Sequence, residues 1–115
     1  MVDVTFIESV DFTHDLHRLA GSAADSVMNA IQNDLRANPT RGDIVKGLGG
    51  VRKARVADPT RLKGKRGGFR YLFLYVEVQG MIHLLYLFGK NEQDDLSAAD
   101  RRLLMTLAAE VKRGR

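Results

Sequence analysis

Apolar and polar residues alternate in two segments of the chain, which is the period of a half-buried β-strand, and two further segments are rich in β-prone apolar residues. Val2, Val4 and Phe6 show this pattern at the start, where they are separated by polar neighbours. The predicted strands cover residues 2–8, 51–57, 69–78 and 81–88. Gln79-Gly80 lies between the last two, and a short glycine turn between two β-prone runs predicts a hairpin.

Three other segments repeat apolar residues every three or four positions, as an amphipathic helix does. The predicted helices cover residues 11–20, 22–37 and 98–112. Gly21 ends the first helix, and Asn38-Pro39 ends the second because the residue before proline avoids helical geometry. The two Ser-Ala-Ala-Asp sequences, 22–25 and 97–100, have the spacing of a capping box.

The predicted order of elements is β-α-α-β-β-β-α, which indicates a two-layer α+β fold. Three consecutive strands joined by a loop and a turn favour a mainly antiparallel sheet, and we expect the helices to pack on one face of it. The chain has 115 residues, 44% of them hydrophobic. That length and composition fit a single domain over residues 1–115.

Cysteine is absent, which excludes a disulfide framework, a cysteine-ligated zinc and a cysteine nucleophile. The first residues show neither a basic start nor a long apolar run, so no signal peptide is predicted. No segment approaches the roughly 20 apolar residues of a membrane span. We therefore expect a cytoplasmic protein without membrane contact.

Positive charge is concentrated in one quarter of the chain. Residues 46–70 hold nine basic residues and one acid, a net charge of +8, although the whole chain carries only +4. The remaining residues are therefore mildly acidic. Such an asymmetry is typical of a protein that binds a polyanion.

Lys53 and Arg55 alternate with Ala54 and Val56, so the two cations leave one face of the predicted strand and the two apolar side chains leave the other. Arg70 begins the next predicted strand and can approach them. Three cations on one face repel each other, and a bound phosphate would relieve that repulsion.

Three blocks of sequence resemble the signature of HigB-type toxins in the RelE superfamily. They are Gly49-Gly50-Val51-Arg52-Lys53-Ala54-Arg55-Val56, Gly64-Lys65-Arg66-Gly67-Gly68-Phe69-Arg70-Tyr71 and Leu87-Phe88-Gly89-Lys90-Asn91-Glu92, followed by Asp94-Asp95-Leu96-Ser97. The resemblance implies a toxin that cleaves messenger RNA in the ribosomal A site. It also implies a cognate antitoxin with a helix-turn-helix domain, similar to HigA, through which alone operator DNA is bound.

The resemblance implies site residues as well. Lys53, Arg55 and Arg70 match the basic residues that RelE-type enzymes carry on central strands. Where RelE has an arginine in the loop after the last strand, this sequence has Asn91, with Lys90 beside it. The RelE tyrosine near the final helix is matched here only by Ser97, so the acid and base roles do not transfer intact.

RNA carries its own nucleophile, the 2′-OH, and fixed cations can stabilise the charge that develops when it attacks the phosphate. Neighbouring positive charges favour the neutral form of a lysine, which makes Lys53 and Lys65 candidates for the general base. No metal or other cofactor is expected. The predicted catalytic residues are Lys53, Arg55, Lys65, Arg70 and Lys90, and the predicted RNA-binding residues are Arg52, Arg61, Lys63, Arg66 and Asn91.

Two other functions stay open: a ParE-like toxin that inhibits gyrase, and a nucleic-acid-binding module without catalysis. Asp94-Asp95 could bind a cation, although acids before a helix N-terminus are favoured anyway. The alternating aromatic residues of the third predicted strand could stack on bases, although a buried face is what that spacing favours. They are Phe69, Tyr71, Phe73 and Tyr75.

Overall fold

The computed structural model describes residues 3–60, 68–89 and 96–113. In these ranges the chain forms a five-stranded sheet with helices on both faces. The elements are β1 (Thr5–Glu8), α1 (Val10–Ala20), α2 (Ala24–Ala37), β2 (Asp43–Ile44), β3 (Arg52–Val56), β4 (Phe69–Val76), β5 (Met81–Phe88) and α3 (Ala98–Arg113). Mixed α+β architecture, as predicted from the sequence, is confirmed.

The strands follow the order β1-β5-β4-β3-β2 across the sheet. All neighbouring pairs are antiparallel except β1 and β5, which run parallel. The predicted mainly antiparallel sheet is therefore confirmed. Sequence patterning missed β2, since its two residues are too few to show an alternation.

Both faces of the sheet are covered, which corrects the prediction that all helices pack on one face. Helices α1 and α2 pack on the face that carries Tyr71 and Phe73, whereas α3 packs on the face that carries Leu72 and Leu74. All four of these consecutive β4 side chains are buried. A strand that is apolar on both sides needs a covering layer on both sides, and α3 supplies the second one.

The two N-terminal helices are joined without the predicted capping box. Ser9 caps α1, because its Oγ accepts a hydrogen bond from the Phe12 N–H at 3.0 Å. Gly21 ends α1 with a φ of 53°, and a 3₁₀ turn over Gly21–Ala23 leads directly into α2. The backbone of this turn satisfies the helix start, so Ser22 makes no cap there. The predicted cap of α3 is confirmed, since the Asp100 N–H donates to Ser97 Oγ at 3.0 Å.

A β-bulge sets the orientation of the end of β5. Leu72 pairs with Tyr86 and Phe73 pairs with Leu84, so Leu85 is the extra residue. Its carbonyl oxygen accepts a hydrogen bond from Ser9 Oγ at 2.7 Å. The bulge places both Leu85 and Tyr86 toward the α3 face, where they join its hydrophobic cluster.

Hydrogen bonds from side chains to backbone carbonyls join α3 to neighbouring segments. Arg101 donates to the carbonyl of Lys46 at 2.7 Å, and Lys112 donates to the carbonyl of Gly49. Gln79 donates to the carbonyl of Val111 at 3.0 Å. Across the part of the chain that the structure describes, no helix has the length and apolar character needed to cross a membrane.

Candidate functional site

Two arginines and a lysine converge on one face of the sheet. Arg55 on β3 lies directly opposite Arg70 on β4, and Lys53 lies two residues before Arg55. Ala54 and Val56 point to the other face and are buried under α1 and α2. The predicted alternation along β3 is confirmed, and so is the expected approach of Arg70 to the two cations.

These cations line an open cavity of about 540 Å³. The lining contains four basic residues and one acidic residue among the positions that the structure describes. Its members are Arg41, Gly42, Asp43, Lys53, Ala54, Arg55 and Arg70. A concave surface with this charge can hold a phosphate group through charge-assisted hydrogen bonds.

Arg41 and Asp43 belong to this cavity and were not predicted from the sequence. Gly42 brings them there with a φ of 78°, because a Cβ at this position would lie 2.2 Å from the Lys53 carbonyl oxygen. Only a glycine allows the turn to approach β3 so closely. Glycine in the 40–50 connector was the one available signal, since this segment has no periodicity.

Arg41 is held in place by an ion pair with Asp34 of α2, whose carboxylate oxygen lies 3.5 Å from the guanidinium. Arg70 is half-buried and donates from Nη2 to the Gly89 carbonyl at 3.2 Å, which links the start of β4 to the end of β5. Arg55, in contrast, is exposed to solvent. The cavity thus combines oriented cations with a more accessible one.

Arg52 does not join this group. It alternates with Lys53 and lies opposite Phe73, so it leaves the other face of β3. Its guanidinium donates to the carbonyl oxygens of Thr40, at 2.7 Å, and Gly42, at 3.4 Å. These bonds secure the turn that carries Arg41 and Asp43, and the predicted RNA contact of Arg52 stays a prediction.

The remaining predicted site residues lie outside the described residues. They are Arg61, Lys63, Lys65, Arg66, Lys90 and Asn91. Asp94 and Asp95 also lie outside them. Their predicted roles stay predictions.

An aromatic pair lies beside the cations on the same face of the sheet. Phe88 is directly opposite Arg70, and Tyr86 is directly opposite Leu72. The two rings are stacked, with centroids 6.2 Å apart and planes at 27°, and both side chains are half-buried. One row of side chains across β3, β4 and β5 therefore contains two cations followed by an aromatic ring. Its members are Arg55, Arg70 and Phe88.

The aromatic residues that the sequence offered for base stacking are mostly core. Phe69, Tyr71 and Phe73 are buried under α1 and α2, and Tyr75 packs against the same cluster. The preference for a buried face over base stacking is confirmed for the first three. Tyr86 and Phe88 were missed because the bulge at Leu85 changes the alternation along β5.

In the described parts of the chain, three titratable groups have a perturbed pKa, each chiefly because of burial. Burial raises the pKa of Tyr71 far above its usual range, and it also raises the pKa of Tyr86, which lies near Asp11 and other acids. Burial lowers the pKa of His83. Of these residues none lines the 540 Å³ cavity, so its chemistry belongs to the basic residues and to Asp43.

Comparison with solved structures supports the fold. The chain is similar to the toxin–antitoxin complex RelBE2 from Mycobacterium tuberculosis, with a TM-score of 0.61 and 22% identity over 80% of this chain and 97% of that one. It is also similar to a mutant of the Escherichia coli toxin RelE in the free state, with a TM-score of 0.58 and 8% identity over 93% of this chain and 97% of that one.

A third similarity is to the intact RelBE toxin–antitoxin complex of E. coli, with a TM-score of 0.54 and 12% identity over 78% of this chain and 99% of that one. A family model described as the RelE toxin of the RelE/RelB toxin–antitoxin system matches residues 14–114. Since that match spans most of the sequence and the fold agrees with it, the chain belongs to the RelE family of toxins.

Proposed function

We propose that this toxin is an endoribonuclease that cleaves messenger RNA on the ribosome and so inhibits translation. The observation that carries the proposal is the opposed pair Arg55 and Arg70, which lines an open cavity together with Lys53. The sequence blocks that resemble HigB-type toxins include all three residues. That resemblance is the reason for expecting the ribosome as the place of action, which puts the protein in the cytoplasm.

A phosphodiester explains a feature that is otherwise unfavourable for the fold. Like charges directly opposite each other destabilise an antiparallel pair. A phosphate between Arg55 and Arg70 would replace repulsion with two charge-assisted contacts. As the 2′-oxygen attacks, negative charge grows on the phosphate oxygens, and prepositioned cations stabilise the transition state more than the ground state.

The reaction needs no external nucleophile. The 2′-oxygen bonds to phosphorus, the bond to the 5′-oxygen breaks, and the products end in a 2′,3′-cyclic phosphate and a 5′-hydroxyl. Arginine and lysine supply the charge stabilisation, so we infer a reaction without a metal cofactor. Phe88 and Tyr86 extend the same face and offer a surface on which a neighbouring base can stack.

We further infer a cognate antitoxin that silences the toxin. Toxins of similar fold have been crystallised as toxin–antitoxin complexes, which supports such a partner. The +8 segment over residues 46–70 favours an acidic contacting segment, because opposite charge speeds association. In keeping with the HigB resemblance, the antitoxin would be HigA-like with a helix-turn-helix domain, and operator DNA would be reached only through it.

The proposal is tested by adding the purified toxin to ribosomes stalled on a defined message. We expect cleaved transcripts with cyclic or 3′-phosphate ends, formed equally well with excess chelator when ribosome integrity is controlled. Inhibition of gyrase supercoiling without RNA cleavage would favour a ParE-like toxin instead. Retention of uncut RNA would leave only a binding module. Loss of cleavage with EDTA and recovery with Mg²⁺ would favour carboxylate-bound metal.

A further inference from the structure

Among the described residues, one carboxylate lines the cavity with the proposed phosphate-binding cations: Asp43, in the short strand β2 at the edge of the sheet. It lies directly opposite Lys53 in the β2–β3 pair and lines the same cavity as Arg55 and Arg70. We propose that the Asp43 carboxylate is the general base that removes the proton from the attacking 2′-OH. The inference rests on the proposed ribonuclease function and names a residue for a step which that function requires.

The chemistry of the described cavity lining leads to this assignment. A guanidinium holds its protons in proteins and has no acceptor atom, so Arg41, Arg55 and Arg70 stabilise charge but take up no proton. A lysine ammonium likewise donates three hydrogens and accepts none, so this proposal makes Lys53, which the sequence offered as a candidate base, a proton donor instead. An ionised carboxylate offers acceptor oxygens only. Of the groups lining this part of the cavity, Asp43 is the one suited to accept the 2′-proton.

The register places the carboxylate within reach of the reacting atoms. Cβ atoms of directly opposite residues in an antiparallel pair lie about 4.5–5.5 Å apart, which fixes Asp43 beside Lys53. Arg55 is two residues beyond Lys53 along β3, and two residues of a strand span roughly 7 Å. When a phosphate is held between Arg55 and Arg70, the ribose attached to it can lie between that pair and Asp43.

The turn before β2 gives Asp43 a fixed position. The Arg52 guanidinium donates to the carbonyl oxygens of Thr40 and Gly42, the two residues that flank Arg41. After the strand, the Val45 N–H donates to the Val51 carbonyl at 2.9 Å. The backbone that carries the exposed Asp43 side chain is thus held on both sides, and general-base catalysis requires such positioning of the base.

The proposed step is balanced as follows. An Asp43 oxygen takes the 2′-proton while the 2′-oxygen bonds to phosphorus and the bond from phosphorus to the 5′-oxygen breaks. The departing 5′-oxygen takes a proton from the Lys53 ammonium, the neighbouring donor in the cavity. Among the described residues, the charged groups that line the cavity with Asp43 are Arg41, Lys53, Arg55 and Arg70. The guanidinium groups of Arg55 and Arg70 keep their protons and hold the phosphate oxygens.

The test compares wild type, Asp43→Asn and Asp43→Glu in single-turnover cleavage of a ribosome-bound message at pH 7. Loss of a general base lowers the rate by about 10²–10⁴-fold, and we expect this for Asp43→Asn without loss of ribosome or RNA binding. Asp43→Glu keeps a carboxylate and should restore part of the rate.

A substrate with sulfur in place of the departing 5′-oxygen separates base from acid. Sulfur leaves without a proton, so Lys53→Met should recover on this substrate, whereas Asp43→Asn should stay slow. Asp25→Asn, in the exposed first turn of α2, removes the same charge away from the cavity and should behave as wild type. Circular dichroism of each variant establishes that it is folded.

Two results would overturn the assignment. An Asp43→Asn variant that cleaves at the wild-type rate would place the base elsewhere, as would its recovery on the sulfur substrate. Failure of Lys53→Met to recover would remove Lys53 as the proton donor. If wild type itself leaves every message uncut, the proposed ribonuclease function fails before the question about Asp43 arises.

Discussion

Arg55 and Arg70 occupy directly opposite positions on β3 and β4, and both side chains leave the same face of the sheet. Stability alone would disfavour this arrangement, because like charges at such a pair repel across a few ångströms. In the proposed function the same pair binds a phosphate, so each of its charges bears on both stability and cleavage. Removing one charge should separate the two effects.

We expect Arg55→Gln to fold more stably than wild type while it loses cleavage. The relieved repulsion is worth about 0.2–1 kcal/mol in the free energy of unfolding, measured by urea denaturation at low salt. Arg102→Gln, at an exposed position of α3, removes an equal charge away from the site and should leave stability unchanged. Equal stability changes in both variants would attribute the effect to net charge alone.

Arg70→Ala should lower the single-turnover cleavage rate by about 10²–10³-fold, because it removes one contact that develops in the transition state. Arg101→Ala is the matched control, since each arginine donates to one backbone carbonyl and Arg101 lies on α3. Growth arrest on induction and cleavage in vitro both report the difference. An Arg70→Ala toxin as potent as wild type at equal expression would remove Arg70 from the site.

Phe88→Leu should weaken binding of the message by about 5- to 100-fold, which corresponds to the loss of one base–aromatic stack. Phe88→Trp should retain binding. Tyr75→Leu removes a half-buried ring from the opposite face, where it packs against the α1 and α2 cluster, and controls for lost packing. Fluorescence of 2-aminopurine placed beside the cleavage site measures the stacking itself. Equal losses in the two leucine variants would reduce Phe88 to a packing residue.

Gly42→Ala should destabilise the protein by about 1–3 kcal/mol more than Gly21→Ala does. Both glycines have a positive φ, so both substitutions carry the same kind of backbone strain. A Cβ at Gly42 would meet the Lys53 carbonyl oxygen at 2.2 Å, whereas a Cβ at Gly21 meets nothing within 4 Å. Thermal unfolding of the two variants measures the difference. Equal melting temperatures would mean that the turn beside Asp43 relaxes freely.

Tyr71→Phe should be at least as stable as wild type at pH 7, because the buried hydroxyl has no hydrogen-bond partner in the described structure. Burial raises the pKa of Tyr71 in the folded state, so ionisation of this hydroxyl leaves the free energy of unfolding unchanged below about pH 10 and lowers it as the pH rises further. Wild type should then lose up to about 1.4 kcal/mol per pH unit relative to Tyr71→Phe. Parallel stability curves above pH 10 would contradict this.

Sequence patterning predicted the elements that have a periodicity. The alternation of Lys53 and Arg55 with Ala54 and Val56 gave the correct face of β3, and the boundaries of β5 agree with the structure. The local sequence pattern did not predict features that depend on contacts between distant parts of the chain. The position of α3 follows from the two-sided burial of β4, which is a property of the assembled layers.

The candidate site shows the same division. Cations on regular strands could be found from spacing, whereas Arg41 and Asp43 lie after a helix end, beside a glycine whose close approach to Lys53 appears only in three dimensions. Arg52 has the same charge as its neighbour Lys53. Because side chains alternate along β3, however, Arg52 lies on the other face, where it donates to the Thr40 carbonyl. Residue type alone could not distinguish the two.

The hydrogen bond from Ser9 to the bulge at Leu85 joins positions 76 residues apart. On the ribosome that makes this toxin, β1 emerges early and cannot pair with β5 until most of the chain has been synthesised. Long-range closure also carries an entropic cost that slows folding. We therefore expect the β3–β4–β5 meander to form first and β1 to join it last. A nascent toxin thus stays incomplete until β5 has been synthesised, late in the chain.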